Sequence, residues 1–268
     1  MKRIFLLRAY GDFVIFLQAI LRSNKIQEYT IVASSHLEPL YNALIKYQDM
    51  SKLQIQFEDF GIKKGQLRLF TNRHLIDIDT LKELKILKKF IKQFPNKNGV
   101  DLIEQDIRLG FLNFFTATNF KSIIQPDAIY DNYDTFFHNE LELNNNSNVI
   151  EKILIFPDAR IAKRIIPVNT IQQIKNIFKA KGYNIDVIRF NEQVENDDLL
   201  YKDFKQLVDY LQKADFIIGA DSLPIHLAQF FQKKHFMFFP KDHPVNFLTP
   251  YAKSAKSFGY FNNFNISF

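Results

Sequence analysis

Apolar runs of strand length alternate along the chain with segments whose apolar residues recur at helical spacing. "RIFLLR" is followed by a helical pattern from about Phe13 to Arg22, and "TIVAS" by "LEPLYNALIKY". "LQIQF" stands as a third strand, and "VDLIEQ" precedes "RLGFLNFFTAT". This is the βαβ rhythm of a parallel, doubly wound sheet. It is interrupted at "ELELNNNSNVIEK", where the run Asn144 to Asn148 is polar and turn-prone and reads as a linker. The rhythm then restarts with "KILIFP", a helix from about Val168 to Lys181, "YNIDVIRF", a helix around Phe204 to Gln212, "DFIIGADS", a helix from about Pro224 to Phe231, and "HFMFFP". The expectation is two α/β domains, 1–146 and 147–268, with a site in a cleft between them.

One stretch departs from simple patterning. In "LLRAYGDFVIF", Leu6 to Phe16, an apolar strand runs into Gly11 and Asp12 and then into a second apolar run. Two readings are open. Asp12 caps the following helix by accepting hydrogen bonds from its free amides. Alternatively, or in addition, the same position puts a carboxylate at the C-terminal edge of a parallel sheet, where α/β proteins build their sites.

Composition narrows the classes. The 268 residues, 47% hydrophobic and 24% charged, suffice for one large core or two medium ones. With no cysteine, disulfides, thiolate metal sites and thiol nucleophiles are excluded, and the six histidines show no metal-ligand spacing. The basic start "MKRIFLLRAYGDF" is broken by Arg8 and Asp12 and reads as a strand, not a signal peptide. No run approaches the ~18 apolar residues that a membrane span needs, and the lack of cysteine suits a reducing cytosol, so a cytoplasmic location is the expectation. The net charge of +6 points to an anionic partner without choosing one. Locally, ten Lys/Arg face three Asp/Glu between Lys63 and Lys97. There "DTLKELKILKKFIKQF" sets Leu84, Leu87, Phe90, Ile91 and Phe94 toward one face and Lys82, Lys85, Lys88, Lys89 and Lys92 toward the other. Such a basic amphipathic helix is either a solvated outer face or a contact with an anionic membrane surface or acceptor.

The second half carries more chemistry. In "ADFIIGADSLPIHLAQFF" a buried strand ends in Asp221 and Ser222, and Pro224 stands where a first helical turn should be. Free amides there attract anions, so a phosphate could rest near Ser222 to Ile225, with His226 one turn on. Ser222 is not a hydrolase nucleophile, because the Gly-x-Ser-x-Gly elbow is absent. In "IFPDARIAKRIIP" a strand ends in a loop bearing Arg160, Lys163 and Arg164, either surface charge or a diphosphate clamp. The first strand lacks Gly-x-Gly-x-x-Gly, which argues against a nicotinamide oxidoreductase. No aromatic-basic RNA motif or helix-turn-helix is evident, so no nucleic-acid partner is expected.

These residues resemble a family. "KRIFLLRAYGDFVIFLQAILR" looks like the N-terminal strand-Gly-Asp-helix of the ADP-heptose:lipopolysaccharide heptosyltransferases, glycosyltransferase family nine. "ILIFPDARIAKRIIPVNTIQQIKNIFKAKGYNIDVI" resembles its phosphate loop and following helix and strand. "ADFIIGADSLPIHLAQFFQKKHFMFFP" resembles its Asp-Ser/Thr-Gly-Pro-x-His-Leu-Ala motif, and "FPKDHPVNFLTPYA" its post-strand turn.

The resemblance implies a GT-B fold of two Rossmann-like domains, the first for the acceptor and the second for a nucleotide sugar. It implies inverting transfer of a sugar, heptose as the leading guess, from a nucleotide-diphosphate donor to a lipopolysaccharide or other lipid-linked or surface-glycan acceptor. Asp12 then matches the general base and Lys163 the cation at the donor phosphates. Asp221 and Ser222 match the donor-binding pair, His226 the histidine near the donor sugar, and Glu192, in "RFNEQ", the acid that takes the ribose hydroxyls. Arg160, Arg164, Leu223 and Pro224 complete the donor set. No cofactor or metal is implied, and a peripheral contact with the inner face of the cytoplasmic membrane is compatible. Two residues depart from the pattern. Leu223 stands where the family has Gly, and Asp158 would repel phosphate unless Arg160 or Arg164 neutralises it. They keep an alternative open, a degenerate GT-B protein that binds nucleotide or glycan without catalysis.

Overall fold

The structure is a computed structural model that describes residues 2–63, 65–71, 77–93, 101–103, 108–124, 128–140, 149–190, 192–241 and 246–266. The chain divides into two compact units, 1–139 and 140–268. The expected boundary at 146/147 falls in 141–148, outside the described residues.

In the first unit the described elements are β1 (Lys2–Leu6), α1 (Tyr10–Arg22), β2 (Tyr29–Ser34), α2 (Glu38–Leu44), β3 (Ile55–Glu58), α3 (Arg68–Thr71), α4 (Ile78–Gln93), β4 (Asp101–Ile103), α5 (Leu109–Thr116), β5 (Lys121–Ser122) and α6 (Ile129–Phe137). Every described strand pairing is parallel, in the order β3-β2-β1-β4-β5. Burial on both faces explains why the chain reads as a continuous apolar run from Ile4 of β1 to Leu7. On one side Phe5 meets Phe90 of α4 and Phe120 edge-on. On the other, Phe16 of α1 packs against Tyr133 and Phe137 of α6.

The second unit contains β6 (Lys152–Phe156), α7 (Val168–Lys179), β7 (Asn184–Phe190), β8 (Leu199–Tyr201), α8 (Phe204–Gln212), β9 (Phe216–Ala220), α9 (Leu223–Phe230), β10 (Lys234–Phe239), α10 (Pro250–Ser254) and β11 (Phe258–Tyr260). Its strands are again parallel, in the order β11-β10-β9-β6-β7-β8. Renumbered within the unit, this is the 3-2-1-4-5-6 order of a doubly wound dinucleotide-type sheet. In both sheets the order reverses beside the first strand, between β1 and β4 and between β6 and β9. Ligands of open α/β sheets bind outside the carboxyl ends of the strands at such a reversal.

Local chemistry sets the elements that frame this point. α8 begins where Asp203 accepts a hydrogen bond from the Gln206 amide at 2.8 Å. Gly219 of β9 is required by close packing, because a Cβ there would stand 2.7 Å from Ile225 Cγ1 and 3.3 Å from the Phe156 carbonyl. The missing side chain lets α9 settle directly onto the sheet.

Candidate functional site

In the second unit the β6 strand hands the chain to a loop that closes on itself, since the Ile166 amide donates to the Pro157 carbonyl at 3.0 Å. Within it Ala162–Arg164 form a short 3₁₀ turn. Arg160 and Lys163 are exposed on this loop, whereas Arg164 is turned inward. Its Nη1 lies 3.0 Å from Asp221 Oδ2, at the end of β9. The Asp221 side chain is 1% exposed, and its Oδ1 lies 3.5 Å from His226 Nε2. One buried carboxylate therefore sits between a guanidinium from the β6 loop and an imidazole from the first turns of α9. Phe247 stands beside both, its ring 5.9 Å from the Arg164 guanidinium and 6.4 Å from the His226 ring.

Ser222 is the N-cap residue of α9 but makes no side-chain cap hydrogen bond. Its Oγ is buried without a hydrogen-bond partner among the described residues, while its carbonyl accepts from the Ile225 amide at 3.2 Å. Pro224 lies buried in the first turn and removes one amide there. Leu223 opens the helix without a positive φ, so the backbone does not demand the glycine that the resemblance placed there. Glu192 is exposed two residues beyond β7, and no described contact ties it to the Arg164–Asp221–His226 cluster.

Asp158 corrects the sequence reading. Its counter-charge is neither Arg160 nor Arg164 but Arg189, whose Nη1 donates to Oδ1 at 2.8 Å, while the Phe190 amide donates to Oδ2 at 3.0 Å. Arg189 also donates to Asp198 at 2.6 Å, so Asp158 is tied back onto β7. Burial and the Asp158 charge together push the nearby Tyr201 hydroxyl well above its ordinary pKa.

The second correction concerns Asp12. α1 starts at Tyr10 with Ala9 as N-cap, so Gly11 lies inside the helix and Asp12 is the third helical residue, not the cap. The carboxylate still gains from the first-turn amide field. Its partner is Arg8, 3.2 Å away, and both side chains are largely buried. Beside them His36 Nε2 meets the Arg8 carbonyl at 3.1 Å and Nδ1 meets Ser34 Oγ at 2.9 Å. A carbonyl only accepts, so Nε2 carries the proton and Nδ1 accepts from Ser34. Burial holds the His36 pKa below its usual value, consistent with this neutral tautomer. Tyr10 packs edge-on against the ring at 5.6 Å.

Sequence reasoning missed Arg189, Phe247, His36 and Tyr10. Arg189 is a charge set between the apolar Ile188 and Phe190 near the end of β7 and so had a signal, but the others owe their place to contacts with distant segments. The described residues also contain one acidic group of metal-ligand compactness, Glu195, Asp197 and Asp198. Lys175 and Arg189 already bond to those carboxylates.

No protein-family model matches the sequence, and no curated protein matches it. Solved structures do. E. coli heptosyltransferase WaaC with ADP superposes with a TM-score of 0.58 at 10% identity, over 96% of this chain and 98% of that one. The glycosyl transferase family 9 structure from Veillonella parvula gives 0.57 at 12% identity over 99% and 91%. E. coli ADP-heptose lps heptosyltransferase II gives 0.56 at 11% identity over 97% and 89%. The chain has the GT-B fold of these proteins. In GT-B terms the two parallel sheets are its two Rossmann-like units, Asp12 belonging to the first and the Arg164–Asp221–His226 cluster to the second.

Proposed function

We propose that the protein is an inverting glycosyltransferase that moves a sugar from a nucleotide-diphosphate donor to a lipopolysaccharide precursor or other lipid-linked or surface glycan in the cytoplasm. The observation that carries the reading is the second unit's switch point, where the Arg164–Asp221–His226 cluster lies beside a loop with two exposed cations, Arg160 and Lys163. In this reading Asp221 spends its charge on Arg164 and His226 and orients them, and Lys163 and Arg160 meet the diphosphate. The Ser222 hydroxyl and the first amides of α9 add donors for the departing phosphate. Asp12 takes the proton of the acceptor hydroxyl as that oxygen attacks the anomeric carbon, and the diphosphate leaves with the bonding pair. Glu192 binds the ribose hydroxyls. An ADP-sugar, heptose first, is the leading donor, because E. coli WaaC is solved with ADP and with ADP-2-deoxy-2-fluoro heptose.

Two features favour a second reading, a binder without turnover: Asp12 is already paired with Arg8, and a leucine occupies the first position of α9. A thermal-shift panel of ADP-, GDP-, UDP- and CMP-sugars separates the outcomes when followed by product analysis. A donor at about 100 times its dissociation constant adds about 2.7 kcal/mol of stability. Stabilisation with sugar transfer or slow donor hydrolysis supports the enzyme, and stabilisation without either supports the binder. No response to any nucleotide sugar overturns the enzyme and the nucleotide binder alike.

A further inference from the structure

Of the five lysines expected on the polar face of α4, four share it, and Phe94, expected on the apolar face, lies outside the described residues. Lys82, Lys85, Lys89 and Lys92 are all exposed, and at 3.6 residues per turn they fall within an arc of about 80°. The opposite side, Leu84, Leu87, Phe90 and Ile91, is in the core. Lys88, at the edge of the stripe, donates to the Phe115 carbonyl of α5 at 2.7 Å and lies over the Phe115 ring. This joins the flank of the lysine stripe to α5, where the preceding residue, Phe114, is 85% exposed. Ile78, in line with the lysines at the start of α4, is 72% exposed. The acid exposed on α4, Asp79, is shared with Lys82 and Arg68. A folded unit thus shows water an aliphatic residue in line with a row of cations and a large aromatic on the helix packed against that row.

We propose that the α4–α5 face docks on an anionic lipid bilayer, the four lysines meeting headgroups and Phe114 entering the acyl boundary. Charge complementarity and the exposed apolar residues select this occupant. Cations alone suit any polyanion, whereas a protruding phenylalanine on the helix packed beside lysines whose stems are themselves apolar matches an interface that is charged outside and greasy beneath. The inference stands on the surface itself and does not require the transferase reading.

The test is co-sedimentation with vesicles of phosphatidylcholine alone or with phosphatidylglycerol, at low and high salt. The full chain is expected to bind the phosphatidylglycerol vesicles, and more weakly as salt rises. One juxtamembrane lysine contributes about 5-fold, so the variant K82Q/K85Q/K89Q/K92Q should lose about 100-fold or more. F114S, which leaves the charge intact, should lose about 10-fold at every salt concentration. All five side chains are exposed, and unchanged circular dichroism and melting verify folding. Equal binding by the wild type and both variants, or no binding to either vesicle, overturns the proposal. So does a duplex or single-stranded nucleic acid that binds the lysine face more tightly than vesicles do, or sedimentation showing that F114S merely dissolves a dimer.

Discussion

Replacing Asp221 with Asn keeps the shape of the side chain and removes the charge held between Arg164 and His226. Asp221 is 1% exposed and lies 3.0 Å from the guanidinium, so in the variant Arg164 loses its counter-ion at a site with little access to water. Stripping one partner from a fully buried pair costs about 3–5 kcal/mol. Here the Arg164 side chain is 21% exposed, and Asn retains an acceptor, both of which relieve the loss. The expected cost is therefore about 2–3 kcal/mol. Hydrogen exchange of the β9 amides reads the second unit directly, without assuming that both units unfold together. Coupling is read from the cycle with Arg164→Met: the double variant should cost less than the two single ones summed, by about 1–2 kcal/mol. A cost under about 0.5 kcal/mol for Asp221→Asn, with additive behaviour in the cycle, refutes the view that this carboxylate organises the site.

Gly219→Ala drives a Cβ into Ile225 and should lower stability by about 1–3 kcal/mol, read by thermal denaturation, and an unchanged midpoint would show that α9 shifts freely. His235 is wholly buried, with Nδ1 donating to the Lys233 carbonyl and Nε2 accepting from Thr249, and burial lowers its pKa to about 4. The unfolded imidazole takes up a proton near its ordinary 6.5 while the folded one does not. Stability is thus complete above that value and falls as pH drops toward 4, by up to about 3 kcal/mol, and His235→Gln should flatten the slope in urea titrations across this window. Asp12→Asn should leave donor affinity unchanged and lower transfer, or slow donor hydrolysis, by about 100-fold to 10,000-fold, and wild-type turnover would remove Asp12 as the base.

The alternation of strand and helix periods was legible because parallel strands covered on both faces are apolar where they are buried, as Ile4–Leu6 of β1, Ile153–Phe156 of β6 and the whole of β9 are. β5, β8 and β11 escaped notice because they are only two or three residues long and lack such a run. Asp221 and His226 were legible as the polar residues that interrupt an apolar strand-turn-helix. The pairing of Asp158 was not, because Arg189 lies 31 residues away and reaches it only through the neighbouring positions of β6 and β7. Of the two readings held open for Asp12, the cap failed because local sequence does not reveal that the backbone turns helical already at Tyr10.

The central claim, that the second unit's switch point holds a nucleotide diphosphate, is tested most directly by calorimetric titration of ADP and an ADP-sugar into the wild type and Lys163→Ala. The account predicts binding by the wild type and a loss of about 1.5–3 kcal/mol in the variant, the scale of a charge-assisted hydrogen bond, with folding intact because Lys163 is exposed. Equal affinity for both proteins, or no heat from the folded wild type with either ligand, would contradict it.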